Sequence, residues 1–248
     1  MFDIFKASFK SRPPEGTRVY AVGDIHGHKD RLVALHRLIV DDAARSSERR
    51  RVIVYVGDYY DRGPDSAGVV EMLIEHPLDG FDSVFLKGNH EEIVLRFLDG
   101  DLETGANWIA HGGNTMLQSY GVACDSAWPD YSDLVDYQQA LSACFPPAHR
   151  TFLESLALSH VEGDYAFVHA GIRPGVPLSR QEGSDLMWIR EEFHESDADH
   201  GYVIVHGHTP VKKVVNRFNR IDIDTGAGFG RALTAVVLAG TKRNFLQV

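Results

Sequence analysis

The chain has 248 residues, of which 44% are hydrophobic and 24% are charged, so it holds enough apolar material for a globular core. These values exclude a disordered tail protein and a mini-domain that depends on disulfides. With 25 Lys and Arg residues against 35 Asp and Glu residues, the formal net charge is −10. We therefore expect no broad basic surface for duplex nucleic acid or for an anionic membrane.

The cellular location is predicted from the cysteines and the termini. Cys124 and Cys144 have no spacing typical of a metal or redox site, so free thiols in a reducing compartment are expected. Residues 1–17 include basic side chains but no continuous apolar core, and no later run approaches the length of a membrane span. We expect a cytoplasmic protein.

Short β-branched runs alternate with helical patterns over the first hundred residues, which is typical of the repeated βα units of an α/β fold. Strands are predicted at 18–22, 51–56 and 83–86, each followed by a helix. Only helices are predicted from 101 to about 161, and we interpret them as an insertion into a single domain that spans 1–248. Strands return at 165–168, 202–205, 211–215, 220–223 and 232–238, and short turns between the last of them suggest an antiparallel end to the fold.

Polar side chains follow the predicted strands at glycine-containing turns. The segments are Gly23-Asp24-Ile25-His26, Gly57-Asp58-Tyr59-Tyr60-Asp61-Arg62-Gly63, Gly88-Asn89-His90-Glu91, Val168-His169-Ala170-Gly171 and Val205-His206-Gly207-His208-Thr209-Pro210. Ligands of α/β sheets bind beyond the carboxyl ends of the strands, so these segments are expected to converge on one cleft.

Six side chains of these segments are candidate metal ligands: Asp24, His26, Asp58, Asn89, His169 and His208. Carboxylate, imidazole and amide donors together suit Mn²⁺, Fe²⁺ or Zn²⁺ better than Ca²⁺. Six ligands are more than one ion needs, so two ions that share a carboxylate are predicted. A pair roughly 3.5–4 Å apart can hold a hydroxide and clamp phosphoryl oxygens during in-line attack.

Three neighbouring residues suit the rest of that chemistry. Arg62 offers a forked donor that matches phosphate. His90 is suited to protonate a leaving oxygen, and Asp61 to orient that imidazole and keep it charged. The sequence therefore predicts phosphoryl transfer to water.

The patterns Asp-x-His-Gly, Gly-Asp-x-x-Asp-Arg-Gly and Gly-Asn-His-Glu, in this order, resemble the phosphoprotein phosphatase family of metallophosphoesterases in the calcineurin-like superfamily, including its short bacterial and phage members. The resemblance covers residues 22 to about 226. It implies a four-layer α/β/β/α sandwich over a dinuclear site, usually Mn²⁺-activated, in which a metal-bridged hydroxide attacks phosphorus. It implies a first metal on Asp24, His26 and Asp58, a second on Asp58, Asn89, His169 and His208, and an acid pair of Asp61 and His90.

Two further segments match the family less closely. Trp188-Ile189-Arg190 resembles a segment that carries a second phosphate-binding arginine, so Arg190 is assigned to substrate binding with Arg62. Ile223-Asp224-Thr225-Gly226 resembles a C-terminal strand and turn, which we interpret as packing. Residues interpreted as lying outside the site are His28, His111, His206, Trp108 and Tyr120.

Departures from related patterns bear on the substrate. Pro210 stands where many phosphodiesterases of the superfamily have the second histidine of Gly-His-x-His, which disfavours a nuclease-type site. Symmetrical dinucleoside tetraphosphate hydrolases tend to have Gly-Asn-His-Asp and a disrupted Asp-Arg pair, whereas this chain has Glu91 and an intact Asp61-Arg62. The predicted substrate is therefore a phosphoprotein or phosphopeptide carrying phosphoserine or phosphothreonine, with phosphotyrosine as a further candidate. The alternatives are a symmetrical dinucleoside tetraphosphate hydrolase, with a nucleotide substrate, and a slow phosphate-recognising binding module.

Overall fold

A computed structural model of the chain describes residues 10–124, 126 and 128–248, so residues 1–9 of the N-terminal stretch discussed above lie outside the described residues. Five strands form a first sheet in the order β10-β9-β1-β2-β3. They are β1 (Thr17–Val22), β2 (Arg50–Tyr55), β3 (Asp82–Phe85), β9 (Thr234–Ala239) and β10 (Lys242–Gln247). The first three strands are parallel, β9 pairs antiparallel with β1, and β10 pairs antiparallel with β9.

The second sheet also has five strands, in the order β4-β5-β6-β8-β7. They are β4 (Ser159–Glu162), β5 (Tyr165–Val168), β6 (Val203–His206), β7 (Val215–Asn216) and β8 (Arg220–Asp222). Strands β5, β6 and β8 are parallel, and β4 and β7 are antiparallel edges. The carboxyl ends of its three parallel strands therefore lie at one edge of the sheet.

Helices connect the strands of both sheets. Those that follow the first-sheet strands are α1 (Lys29–Ala44), α2 (Ser66–Glu75) and α3 (Asn89–Leu98). Between α3 and β4 lie α4 (Leu102–Trp108), α5 (Asn114–Ser119), α6 (Tyr131–Cys144) and α7 (Pro147–Ser155). Helices α8 (Gly183–Trp188) and α9 (Glu191–His194) lie between β5 and β6.

The two-residue alternation of buried side chains in β1 explains the layers. Val19 packs in a cluster with Phe167 of β5, between the sheets. Tyr20 packs in another cluster, with Leu32 of α1, on the outer face of the first sheet. A third cluster joins β5 and β6 to α8 and α9 on the outer face of the second sheet. The predicted α/β/β/α sandwich is therefore confirmed.

Some predicted boundaries were wrong. Helices do not continue to residue 161, because Ser159–Glu162 forms an edge strand whose Glu162 carboxylate binds the Arg50 guanidinium at 2.7 Å. The strand predicted at 211–215 is only the short β7, since the backbone N–H of Val211 donates to Asp224 instead of a neighbouring ladder. Strand β10 was not predicted, and β8 pairs parallel with β6, so the antiparallel end is limited to β7, β9 and β10.

Two observations bear on the chain's surroundings. None of the helices in the described ranges is both long and apolar enough to cross a membrane. Cys124 is buried and Cys144 is exposed.

Candidate metal centre

The six predicted ligands come together beyond the carboxyl ends of the parallel strands, and all are buried. Four of them, together with His90, form two groups of donor atoms that share Asp58. In one group the side-chain donors of Asp58, His26 and His90 lie within 4.8 Å of one another. In the other, those of Asp58, His169 and His208 do so. Asp58 is therefore the carboxylate common to both groups.

The second group is the more tightly gathered. His169 Nε2 lies 3.3 Å from Asp58 Oδ1, 2.9 Å from Asn89 Oδ1 and 3.2 Å from His208 Nδ1. Asn89 Oδ1 also lies 2.9 Å from His208 Nδ1. These four donors come from four segments that follow four different strands, so the fold itself assembles the group.

Backbone carbonyls fix the tautomers of two imidazoles. His169 Nδ1 lies 2.9 Å from the Val56 carbonyl and His26 Nδ1 lies 2.6 Å from the Tyr60 carbonyl. A carbonyl only accepts, so each Nδ1 carries the proton and each Nε2 presents a lone pair to the centre. Burial lowers the pKa of both histidines, which keeps them in the neutral, ligating form.

Buried carboxylates add negative charge to the same volume. Burial and the neighbouring charges of Asp224 and Asp58 raise the pKa of Asp24 well above its usual range. Burial also raises the pKa of Asp224, to about 6. Asp24 Oδ1 is buried and has no hydrogen-bond partner in the described part of the chain. Crowded carboxylates and lone pairs are the surroundings that a divalent cation would stabilise, so the donor set fits metal ions.

Backbone strain is concentrated here. Within residues 10–124, 126 and 128–248, the non-glycine residues with positive φ are His26, Asp58, Asp61, Arg62 and His208. Such conformations cost about 1–3 kcal/mol each and persist where the surroundings determine them. The close packing of the site also favours glycine at position 207, since a Cβ there would stand 2.0 Å from Asp24 Oδ1.

Glu91 is a functional residue that sequence reasoning passed over. Its buried carboxylate accepts hydrogen bonds from the backbone N–H groups of Asp58, Tyr59 and Gly88, at 2.8–2.9 Å. It thereby joins the turn after β2 to the start of α3. The signal was available, because Glu91 is three residues after the glycine that caps α3, as in a capping box.

The predicted acid pair is in contact. His90 Nδ1 is hydrogen-bonded to Asp61 Oδ2, and both residues are buried. Burial alone would lower the pKa of His90, but the charges of Asp58 and Asp61 outweigh it and raise that pKa above its ordinary value. Arg62 Nη2 lies 3.1 Å from His90 Nε2, and its Nη1 contacts His26 Nε2. His90 Nε2 therefore faces the site beside the Arg62 guanidinium.

A groove of about 650 Å³ opens next to this pair, with Arg62 and Arg190 both in its lining. Arg190 is exposed, and its Nε donates to His208 Nε2 at 3.2 Å. Trp188, 38% exposed, lines the same groove. Across Arg62 the ring of Phe229 lies 4.7 Å from the guanidinium carbon. The turn that contains Phe229 follows Asp224 and contacts the site, so packing alone does not describe that segment.

The residues interpreted as lying outside the site are not in the metal centre, but two of them, His111 and Trp108, lie beside it. His206 belongs to a separate group with His194 and Asp222, in which His206 and Asp222 are buried and Arg220 Nη1 lies 3.5 Å from His206 Nε2. His28 precedes α1 and Tyr120 packs in the first core cluster. His111 lines the groove but not the metal centre, and Trp108 is core that also contacts Asp61.

The fold and the donor set are together those of a metallophosphoesterase. Residues 17–230 match the family model described as calcineurin-like phosphoesterase. The chain therefore belongs to the calcineurin-like phosphoesterases, a family of hydrolases.

Relatives of this chain differ in substrate. The chain is 28% identical over 235 residues to the asymmetrical bis(5'-nucleosyl)-tetraphosphatase PrpE of Bacillus mycoides, covering 87% of this chain and 88% of that protein. It is 28% identical over 225 residues to serine/threonine-protein phosphatase 1 of Salmonella typhimurium, covering 87% and 89%. A solved putative diadenosine tetraphosphatase is similar in fold, with a TM-score of 0.61, 20% identity and 95% of each chain covered. A cold-active protein tyrosine phosphatase gives a TM-score of 0.59 at 20% identity, with 96% of this chain and 82% of that one covered.

Proposed function

We propose that this protein is a metal-dependent phosphatase that hydrolyses phosphomonoesters of serine and threonine in proteins or peptides, with phosphotyrosine as a further candidate. The observation that supports the substrate class most directly is the buried hydrogen bond between His90 Nδ1 and Asp61. An alkoxide is a poor leaving group and needs a proton as the ester bond breaks, whereas a phosphoanhydride yields a stable phosphate anion. A charged imidazole held in this position is of most use to a monoester.

The metal ligands are assigned as the resemblance implies. Asp24, His26 and Asp58 would hold one ion, and Asp58, Asn89, His169 and His208 would hold the other. When bound, two divalent ions, Mn²⁺ in our proposal and Fe²⁺ or Zn²⁺ as alternatives, would supply Lewis-acid chemistry that activates water and neutralises phosphoryl charge.

The chain's own side chains bind the phosphoryl group and move the proton. Arg62 and Arg190 contact imidazoles of the centre in this structure. In our proposal their forked donors bind phosphoryl oxygens when substrate enters. In this proposal His90 Nε2 donates its proton to the leaving oxygen. The Asp61 carboxylate, hydrogen-bonded to His90 Nδ1, stabilises the imidazolium form of His90 until the proton is transferred.

A second candidate is hydrolysis of dinucleoside polyphosphates. Relatives named for that reaction favour it. The groove beside His90 also favours it, because the exposed indole of Trp188 in its lining is suited to stack on a base. Neither feature requires a general acid, which is why we rank this reaction second.

A direct comparison of substrates tests the proposal. The Mn²⁺-loaded protein is assayed with phosphoserine, phosphothreonine and phosphotyrosine peptides and with diadenosine tetraphosphate, and kcat/KM is compared. We expect a preference of at least about 10-fold for a peptide. A preference for the dinucleotide would favour the second candidate over the first. Its products would then show whether the tetraphosphate is cleaved symmetrically, into two ADP, or asymmetrically, into AMP and ATP. Binding of phosphopeptide without turnover of any substrate would indicate a binding module.

A further inference from the structure

The indole of Trp108 makes a contact with the proposed acid pair. Trp108 is the last residue of α4, is only 2% exposed, and its Nε1–H donates to Asp61 Oδ2 at 2.7 Å. The same oxygen receives the hydrogen bond of His90 Nδ1. Trp108 and Asp61 are separated by 47 residues, so this contact ties the predicted helical insertion to the strand-end turn after β2.

The indole has little freedom to move. The ring of Phe97 packs against it with centroids 5.0 Å apart. On another side Gly113 lies so close that a Cβ there would stand 2.4 Å from the indole. The donor atom is therefore fixed in direction by its packing.

Asp61 depends on such a donor. Its side chain is wholly buried, and Asp61 Oδ1 has no hydrogen-bond partner in the described ranges. His90 and Trp108 supply the side-chain hydrogen bonds recorded for this carboxylate, both at Oδ2. A buried carboxylate with one donor fewer is less well stabilised and has more than one orientation open to it.

The segment that follows Trp108 also supports the backbone next to Asp61. The N–H of Arg62 donates to the carbonyl of Gly112 at 3.1 Å. Asp61 and Arg62 are both in the left-handed region, with φ of 73° and 66°. Residues 108–112 thus contact two consecutive strained residues of the site, one through a side chain and one through the backbone.

We propose that Trp108 is a positioning residue that holds Asp61 Oδ2 toward His90 Nδ1, and so keeps the His90 ring directed at the leaving oxygen. The inference rests on the proposed acid role of His90. It gives the helical insertion a part in proton transfer, through the N–H that Trp108 donates to Asp61.

The test compares leaving groups in Trp108→Phe, which keeps an aromatic ring and removes the N–H. Turnover of phenyl phosphate, whose phenolate is a poor leaving group, should fall about 10- to 100-fold, within the range of general-acid effects. Turnover of nitrophenyl phosphate should fall several-fold less, and KM and bound metal should stay near the wild-type values. Trp128→Phe is the matched control, because Trp128 is 83% exposed. An equal loss on both substrates, or no loss, would overturn the inference.

Two further measurements separate this inference from the proposed function. In an Asp61→Asn background, Trp108→Phe should change turnover by less than about twofold, since the partner of the N–H is already altered. Full additivity would contradict the positioning role. His90→Ala is assayed with the same two esters. If the loss depends on the leaving group in His90→Ala but not in Trp108→Phe, only the role of Trp108 is contradicted. If the loss depends on the leaving group in neither variant, the acid role of His90 is contradicted as well. If Trp108→Phe does not fold, benzothienylalanine at position 108 deletes the N–H while keeping the shape.

Discussion

His169 Nε2 and Asn89 Oδ1 lie 2.9 Å apart, although neither atom has a hydrogen to donate when His169 is neutral. The proton of this imidazole is on Nδ1, where the Val56 carbonyl accepts it. The amide oxygen of Asn89 is likewise an acceptor. Two lone pairs that face each other in a buried site repel, and a cation that both ligate removes the repulsion.

The first prediction concerns metal content. Asn89→Ala removes a ligand from the group of Asp58, His169 and His208 only, so bound Mn²⁺ should fall by about one ion per chain of the proposed two. Elemental analysis after chelation, Mn²⁺ re-addition and desalting measures this. Asn107→Ala is the control, because Asn107 is an exposed amide in the groove. Unchanged metal content in Asn89→Ala would contradict the assignment.

Much of the centre could be predicted from the sequence because each ligand lies a few residues or fewer beyond the end of a strand, in a segment that contains a glycine. Asp24, Asp58 and His208 are examples, and the α/β pattern alone places such residues at one edge of a sheet. The contact between Trp108 and Asp61 could not be predicted in this way. It joins residues 47 positions apart, and its direction depends on a turn at Gly112, where φ is +111°.

The order of the strands in the sheets also could not be predicted from the sequence. β9 inserts next to β1 from the far end of the chain, and nothing local in residues 234–239 encodes that partner. Strand β10 was missed because its residues are half-buried or exposed, as expected of an edge, and give no apolar run. Patterns of burial predict which residues form strands, whereas pairing depends on how the sheets pack.

The second prediction concerns Glu91. Glu91→Gln replaces one carboxylate oxygen by an NH₂ group, which would face a backbone N–H that now donates to Glu91. We expect the free energy of unfolding to fall by about 1–3 kcal/mol and Mn²⁺ affinity to weaken, because the Asp58 turn loses its support. Urea unfolding and metal titration measure the two effects. Glu75→Gln, at an exposed position on α2, should change neither. A Glu91→Gln protein as stable as wild type would refute the role.

The third prediction is a pH dependence of stability that arises from His36. This side chain is buried on α1 beside the Tyr55 hydroxyl, 2.9 Å away, and burial lowers its pKa from 6.5 to about 4. Below pH 6.5 the unfolded chain takes up the proton and the folded chain does not, so stability falls with decreasing pH until about pH 4. The total loss should be about 3 kcal/mol.

His36→Gln isolates this contribution. The stability difference between wild type and the variant, from urea unfolding with chelator present, should shrink as pH falls from about 7 to about 4. His76→Gln, at an exposed position, is the control for the loss of a histidine. A difference that stays constant for His36→Gln would show that the folded state protonates His36 normally.

The fourth prediction concerns Arg190, whose guanidinium lies beside His208 and lines the groove. Arg190→Ala should weaken inhibition by inorganic phosphate about 10-fold or more, the effect of losing a hydrogen bond to a charged group. Arg96→Ala is the matched control, because Arg96 lines the same groove but donates to Asp101 Oδ2 at 2.9 Å, so its charge is already paired. Metal content is measured in parallel, since Arg190 contacts a proposed ligand. Inhibition by phosphate that changes less than about twofold, with metal retained, would assign Arg190 to the helix surface instead.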